Sequence, residues 1–277
     1  MDLLDVRLVA LDVDGTLLDP AHQLRPRVAA AVRATRAAGV AVALATGKLL
    51  QSVEPLLAEM GLSGPQIVLN GAATIESATG RVLRFRPLAE TSRRQVIELV
   101  RQADPDVLIS HFTLDGIVMD RAHPAWIILA EYGEGPPVLV PDLLAGGLPP
   151  AAKILLAGPP ERLARLRAAL GSRLPVGVAM TTTTEDFLEF FDVAAGKGPA
   201  LAALREELGL ARESVVAIGD GENDAPLLRE AGLGVAMTNA AAVTRAAAEW
   251  VVPGNAEDGV AVALEELLRQ RGSGGAG

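Results

Sequence analysis

Two carboxylates close an apolar run in Val9-Ala-Leu-Asp12-Val-Asp14-Gly15-Thr16. Residues Val6 to Val13 read as a buried strand, so both acids sit where water is scarce. A carboxylate so placed is costly unless a cation or hydrogen-bond donors meet it, and Asp12 and Asp14 therefore ask for a metal or a substrate. Three further polar clusters carry matching chemistry: Thr46-Gly47-Lys48, Lys197, and Gly219-Asp220-Gly-Glu-Asn223-Asp224. Asp12, Asp220 and Asp224 are hard oxygen ligands suited to octahedral Mg²⁺. Lys197, Lys48 and the Thr46 hydroxyl can neutralise phosphate oxygens and donate to them. The residue types together point to phosphoryl transfer.

The elements that position these clusters follow from hydrophobic pattern. A helix is expected over Arg25–Ala38, then a strand over Val40–Ala45 that ends in Thr46-Gly47-Lys48, a helix over Leu49–Met60, and a strand over Gln66–Leu69 before Asn70-Gly71. Alternating strand and helix is the pattern of a parallel sheet with right-handed crossovers. It lapses between about Thr79 and Phe191, where strands with paired helices suggest a separate α+β insert, with a turn at Asp115-Gly116 and a Gly- and Pro-rich surface loop over Gly133–Pro150. It resumes with helix Lys197–Leu208, strand Ser214–Ile218, helix Asn223–Ala231 and strand Gly234–Met237, then helix Ala240–Ala248, strand Trp250–Val252 and helix Ala256–Arg269. The expected class is α/β: a Rossmann-like parallel-sheet core over 1–80 and 190–271, an inserted α+β unit over 81–189, and a disordered tail over 272–277. In an open parallel sheet ligands bind at the C-terminal strand ends, where all of these clusters lie except Lys197, which opens a helix.

Composition narrows the partners. The 277 residues are 50% hydrophobic and carry a net charge of -9, which argues against nucleic acid or an anionic membrane and favours a small ligand. There are no cysteines, so disulfides and thiolate metal sites are excluded. The opening Met1-Asp-Leu-Leu-Asp5 lacks the pattern of a secretory signal and charges interrupt every apolar run, so a cytoplasmic location is expected. Aromatics are only 3%, leaving little for an aromatic cage. Three of the 25 basic residues are lysines, Lys48, Lys153 and Lys197, against 22 arginines. In a chain that uses Arg by default, each Lys calls for a reason. Lys153 reads as a strand residue snorkelling to solvent, Thr181–Thr184 as a loop, and His111 or His123 as groups that can reach a substrate from the insert.

Asp12-Val-Asp-Gly-Thr-Leu-Leu-Asp19, the Thr46-Gly-Lys48 strand end, Gly196-Lys-Gly198 and Gly219-Asp-Gly-Glu-Asn-Asp224 resemble, in order, the four motifs of the haloacid dehalogenase superfamily. The insert after Asn70-Gly71, and Gly234-Val-Ala-Met237, Asn239-Ala240 and Asn255-Ala-Glu-Asp-Gly259 near the end, are similar to Cof-type phosphatases with a C2B cap. The resemblance implies that Asp12 is a nucleophile forming an aspartyl-phosphate, and that Asp14 protonates the leaving alcohol and then takes a proton from water. It implies that Mg²⁺ is held by Asp12, the Asp14 backbone carbonyl and Asp220, with Asp224 ligating through water or orienting Lys197. Thr46, Gly47, Lys48, Lys197 and Asn223 are then the phosphate-binding set. The implied reaction is hydrolysis of a small phosphate monoester, a sugar phosphate or a cofactor phosphate. A phosphotransferase or mutase with the same intermediate and a silent sugar-phosphate sensor are the alternatives. Lys48 stands where the family often has Arg, and Thr238 where it usually has Gly.

Overall fold

The computed structural model describes residues 5–273. The chain opens with β1 (Leu8–Leu11), α1 (Pro26–Ala37), β2 (Ala41–Leu44) and α2 (Leu50–Met60), which ends at Gly61 in the left-handed conformation. A small antiparallel sheet follows, β3 (Pro65–Val68), β4 (Ala73–Glu76) and β5 (Arg81–Phe85). It leans on β2 through a bridge between Ala45 and Ile67. β5, which falls within the stretch expected as the insert, thus pairs with β4 and stays with the first part of the chain.

Next come α3 (Glu90–Ala103), β6 (Leu108–Phe112), β7 (Ile117–Met119), α4 (Trp126–Glu131), β8 (Val138–Leu139), β9 (Lys153–Ala157), α5 (Pro160–Leu170), β10 (Val178–Thr184) and β11 (Phe187–Asp192). Their strands form one six-stranded sheet in the order β10-β11-β9-β6-β7-β8. Two expectations are corrected here. Thr181–Thr184 is not a loop: it pairs with β11, as β-branched threonine favours. Nor is Gly133–Pro150 simply a surface loop. Val138–Leu139 pairs in parallel with β7, and Leu143 is fully buried with its carbonyl accepting from the Arg93 guanidinium.

The chain closes with α6 (Lys197–Glu207), β12 (Val215–Gly219), α7 (Ala225–Glu230), β13 (Leu233–Met237), α8 (Ala242–Arg245), β14 (Trp250–Val252) and α9 (Gly259–Ser273). The five parallel strands run β14-β13-β12-β1-β2. Every residue of β1 and β12 is buried, as expected of central parallel strands covered by helices on both faces. The remainder of the expected disordered tail beyond Ser273 lies outside the described residues. Among the described residues no helix is long and apolar enough to cross a membrane.

Period-two alternation sorts the second sheet. Ile109, Ile154, Leu156, Leu188 and Phe190 face α3 and α5 and form their own buried cluster. Leu108, Phe112, Leu155, Ala157 and Phe187 face the other way and join the cluster of the first sheet. At about 1.5–3 kcal/mol for each fully buried large apolar side chain, both faces are held by burial. The face turned to the first sheet also carries Lys153 and Glu189, because they fall in the same alternation.

Candidate active site

Strand register assembles the site. Leu11 pairs with Ile218 on one side and with Leu44 on the other, so β1, β12 and β2 end at one level. The residues that follow, Asp12, Gly219-Asp220 and Ala45-Thr46, therefore emerge along one C-terminal edge. Gly15 turns the chain back at φ +78°, and a Cβ there would lie 2.3 Å from Asp220 Oδ2, so the turn after Asp12 needs glycine twice over.

At this edge Lys197 Nζ donates to Asp12 Oδ1 at 2.6 Å and to Asp224 Oδ1 at 2.6 Å. All three side chains are buried. A cation in the first turn of a helix runs against the helix dipole, and the two carboxylates explain its place there. Burial opposes the Lys197 charge, but Asp12 and Asp224 outweigh it and raise its pKa above the usual lysine value. Asp224 Oδ2 accepts from the backbone N–H groups of Asp220 (3.1 Å) and Gly221 (2.8 Å), which fixes the loop. Asp220 Oδ1 accepts from the Thr16 hydroxyl at 2.5 Å.

Three carboxylates thus crowd around one ammonium, which pairs with two of them. Burial first, then the Asp224 charge, pushes Asp12 well above the ordinary carboxylate range and Asp220 up to about 7. Ligand atoms of Asp12, Asp220 and Asp224 lie within 4.8 Å of one another. An all-oxygen set with surplus negative charge fits a hard divalent cation.

The Asp14 carboxylate points elsewhere. Its Oδ1 lies 3.2 Å from Lys48 Nζ and 3.8 Å from His22 Nδ1. Burial pushes its pKa up, but His22 and Lys48 outweigh burial and hold it below the usual value. Lys48 Nζ also donates to the Tyr132 carbonyl across from it. Lys48 therefore sits on Asp14 and on the second sheet's side of the site, away from the Lys197 cluster. Thr46 is fully buried and its Oγ1 accepts from Lys48 N at 3.1 Å, while Asn223 Nδ2 donates to Asn70 Oδ1 at 2.9 Å. Thr238 N donates to the Val252 carbonyl, and the neighbouring Asn239 Nδ2 reaches the Gly15 carbonyl at 2.8 Å. Threonine in place of glycine leaves that turn formed.

One cavity lies between the parallel strand ends and the second sheet. Asp12, Asp14, Gly47, Lys48, Lys197 and Asn223 line it from below. From above come residues that sequence reasoning missed. Lys153 does not snorkel: it is 2% exposed, donates to the Gly47 carbonyl at 2.8 Å and pairs with buried Glu189 at 2.9 Å. Glu189 Oε1 also accepts from Thr183 Oγ1 at 2.9 Å, and its Oε2 accepts from Asn70 Nδ2 at 3.2 Å. Phe112, Tyr132 and Phe187 complete the wall, three of the chain's eight aromatics at a single place. All three lysines of the chain line this cavity. Their scarcity was the signal that could have found Lys153. His111 and His123 do not line it: each ring binds a backbone carbonyl, of Pro149 and Asp106 respectively. His22 is the histidine beside the site.

Comparison with known proteins gives the same outline. Residues 9–264 match the family described as haloacid dehalogenase-like hydrolase. An HMP-PP phosphatase of Cronobacter sakazakii is 32% identical over 236 residues, covering 84% of this chain and 85% of that protein. The 5-amino-6-(5-phospho-D-ribitylamino)uracil phosphatase YcsE of Bacillus subtilis is 28% identical, covering 95% and 96%. A crystal structure of a haloacid dehalogenase-like hydrolase from Bacteroides thetaiotaomicron superposes with a TM-score of 0.82 at 28% identity, covering 95% of this chain and 99% of that one.

Proposed function

The chain belongs to the haloacid dehalogenase-like hydrolases, and from that premise we propose that it is a Mg²⁺-dependent phosphomonoesterase acting on small phosphorylated metabolites through an aspartyl-phosphate. The observation that carries the reading is the Lys197 ammonium held between Asp12 and Asp224, with Asp220 in ligand range of both acids. Relatives named as phosphatases of small phosphorylated compounds support the substrate class.

In this proposal Asp12, Asp220 and the Asp14 backbone carbonyl hold Mg²⁺, with Asp224 fixing Lys197 and the loop. The ion, when bound, neutralises charge on the phosphoryl oxygens. Lys197 favours the ionised form of Asp12 and orients it, and Asn223, Gly47 and Thr46 position the phosphate. The Asp12 carboxylate attacks phosphorus, the phosphorus–oxygen ester bond breaks, and Asp14 gives its proton to the departing alcohol. Water then attacks the aspartyl-phosphate, Asp14 takes the water proton, and inorganic phosphate leaves with Asp12 restored. His22 and Lys48 favour charged Asp14, the form that this second half-reaction requires.

The same reading treats 1–80 with 190–271 as the core and 81–189 as a cap whose closure excludes water. Because β5 pairs with β4, the working boundary falls between Phe85 and Glu90. A phosphate-release screen over metabolite monoesters, with Mg²⁺ and without it, tests the proposal. Release without an added acceptor, abolished by chelation, is expected; no release from any monoester would overturn it.

A further inference from the structure

Three consecutive residues of the turn after β3, Leu69, Asn70 and Gly71, have positive φ of +54°, +59° and +88°. Leucine avoids this region and asparagine tolerates it better, so the turn is imposed by its surroundings rather than chosen by its residues. Leu69 N donates to the Lys48 carbonyl at 2.9 Å and Asn70 N to the Thr46 carbonyl at 2.8 Å, which ties the turn to the strand end that carries Thr46, Gly47 and Lys48. A Cβ on Gly71 would stand 2.4 Å from the Ala195 carbonyl oxygen, so the turn also packs on the segment leading into Lys197. What the turn fixes in place is one fully buried side chain, that of Asn70.

The two ends of the Asn70 carboxamide face different partners. Nδ2 donates to Glu189 Oε2 at 3.2 Å, and Oδ1 accepts from Asn223 Nδ2 at 2.9 Å. The second sheet dictates which end goes where. Glu189 is buried and paired with Lys153 at 2.9 Å, and a carboxylate has only lone pairs to offer, so Asn70 must turn its NH₂ to it. The Asn70 oxygen is then left for Asn223, which must answer with its own NH₂. Asn223 lines the cavity with Asp12 and Lys197, and its Oδ1 is turned to Gly221, 2.4 Å from where a Cβ on that glycine would stand. An amide NH₂ carries two protons, of which Asn70 takes one. A reversed amide would present an oxygen to an incoming anion.

Resting on the phosphomonoesterase reading above, we propose that Asn70 is a positioning residue: it relays the charge of Glu189 into the orientation of Asn223, so that an N–H and not a carbonyl oxygen meets the phosphoryl group. Glu189 lies on β11 of the second sheet, and Asn70 and Asn223 lie across the cavity from it. The relay is therefore complete only while the second sheet is docked, and the grip on phosphate weakens when it withdraws.

The test reads the inhibition constant of inorganic phosphate, which has no leaving group to touch the second sheet, against the monoester that the full-length enzyme hydrolyses fastest in Mg²⁺. Two variants act from opposite ends of the relay. Asn70→Gly deletes the carboxamide and suits the positive φ. Glu189→Gln keeps the shape, but Lys153 and Thr183 hold the amide oxygen and turn its NH₂ toward Asn70. Each variant is expected to weaken phosphate about tenfold, the scale of one hydrogen bond to a charged group. In an Asn223→Ala background each should cost less than twofold more, because the residue they act through is gone. A merely structural role predicts that the losses multiply. Multiplied losses overturn the inference, as does a phosphate constant unchanged in Asn70→Gly or in Glu189→Gln, and these results leave the phosphatase reading intact. No hydrolysis of any monoester overturns both.

Discussion

Replacing Lys197 by Met separates electrostatics from shape at the heart of the site, because the side chain keeps its length and loses its charge. Two contacts of 2.6 Å disappear, leaving the buried carboxylates of Asp12 and Asp224 without their shared counter-ion. Breaking a buried pair from one side costs about 3–5 kcal/mol. At about 2–4 °C per kcal/mol for a chain of this size, the thermal midpoint in EDTA should fall by about 6–20 °C. The acid cluster itself loses its one adjacent positive charge. Its affinity for Mg²⁺, read by calorimetry, should therefore rise on the order of tenfold, a shift that Coulomb attraction at an effective dielectric near 20 readily supplies. Saturating Mg²⁺ should recover part of the lost stability. Turnover should still fall by roughly 10³ or more, since the ammonium that in the proposed mechanism orients Asp12 and neutralises the phosphoryl group is gone. A variant that binds metal better and catalyses worse is a specific signature. Unchanged Mg²⁺ affinity together with more than a tenth of the original kcat/KM would refute the reasoning.

Further predictions follow from individual residues. Gly15→Ala forces a left-handed Ala, at about 1–2 kcal/mol, and pushes on Asp220; weaker Mg²⁺ binding at little change in folded content is expected by calorimetry and circular dichroism. Because burial and the Asp224 charge raise Asp220 to about 7, protons compete with the cation, and Mg²⁺ affinity should decline as pH falls below 7. His111 has no contact with the cavity, and burial lowers its pKa to about 4 from the free value of 6.5. The unfolded chain takes up that proton first, so its contribution to stability is present above pH 6.5 and is lost as pH falls toward 4, by roughly 3 kcal/mol in all. Urea denaturation of the wild type and of His111→Gln in EDTA should give a difference curve with that slope; a flat difference would place the pH sensitivity elsewhere.

The sequence made the parallel sheet legible because its strands are buried on both faces and read as unbroken apolar runs, as in Leu8–Leu11 and Val215–Gly219. The candidate acids were legible because each ends such a run. Residues whose placement depends on the second sheet were not. Lys153 and Glu189 lie 36 positions apart and meet only through the pairing of β9 with β11, a register that no local pattern encodes. The Thr181–Thr184 run has no apolar alternation and gains its strand from Phe187–Asp192 beside it. His22, in a turn eight residues after Asp14, reaches Asp14 because the chain turns back at Gly15. A 3% aromatic content predicts little aromatic lining, yet Phe112, Tyr132 and Phe187 converge on one cavity.

The central claim is that the Asp12 carboxylate is the nucleophile, and Asp12→Asn tests it most directly. Release of phosphate from 4-nitrophenyl phosphate in Mg²⁺ should drop by at least about 10⁴-fold, the scale seen when a member of a nucleophilic pair is removed, while the far-ultraviolet dichroism stays that of the folded wild type. A folded Asp12→Asn protein that keeps most of its activity would contradict the account.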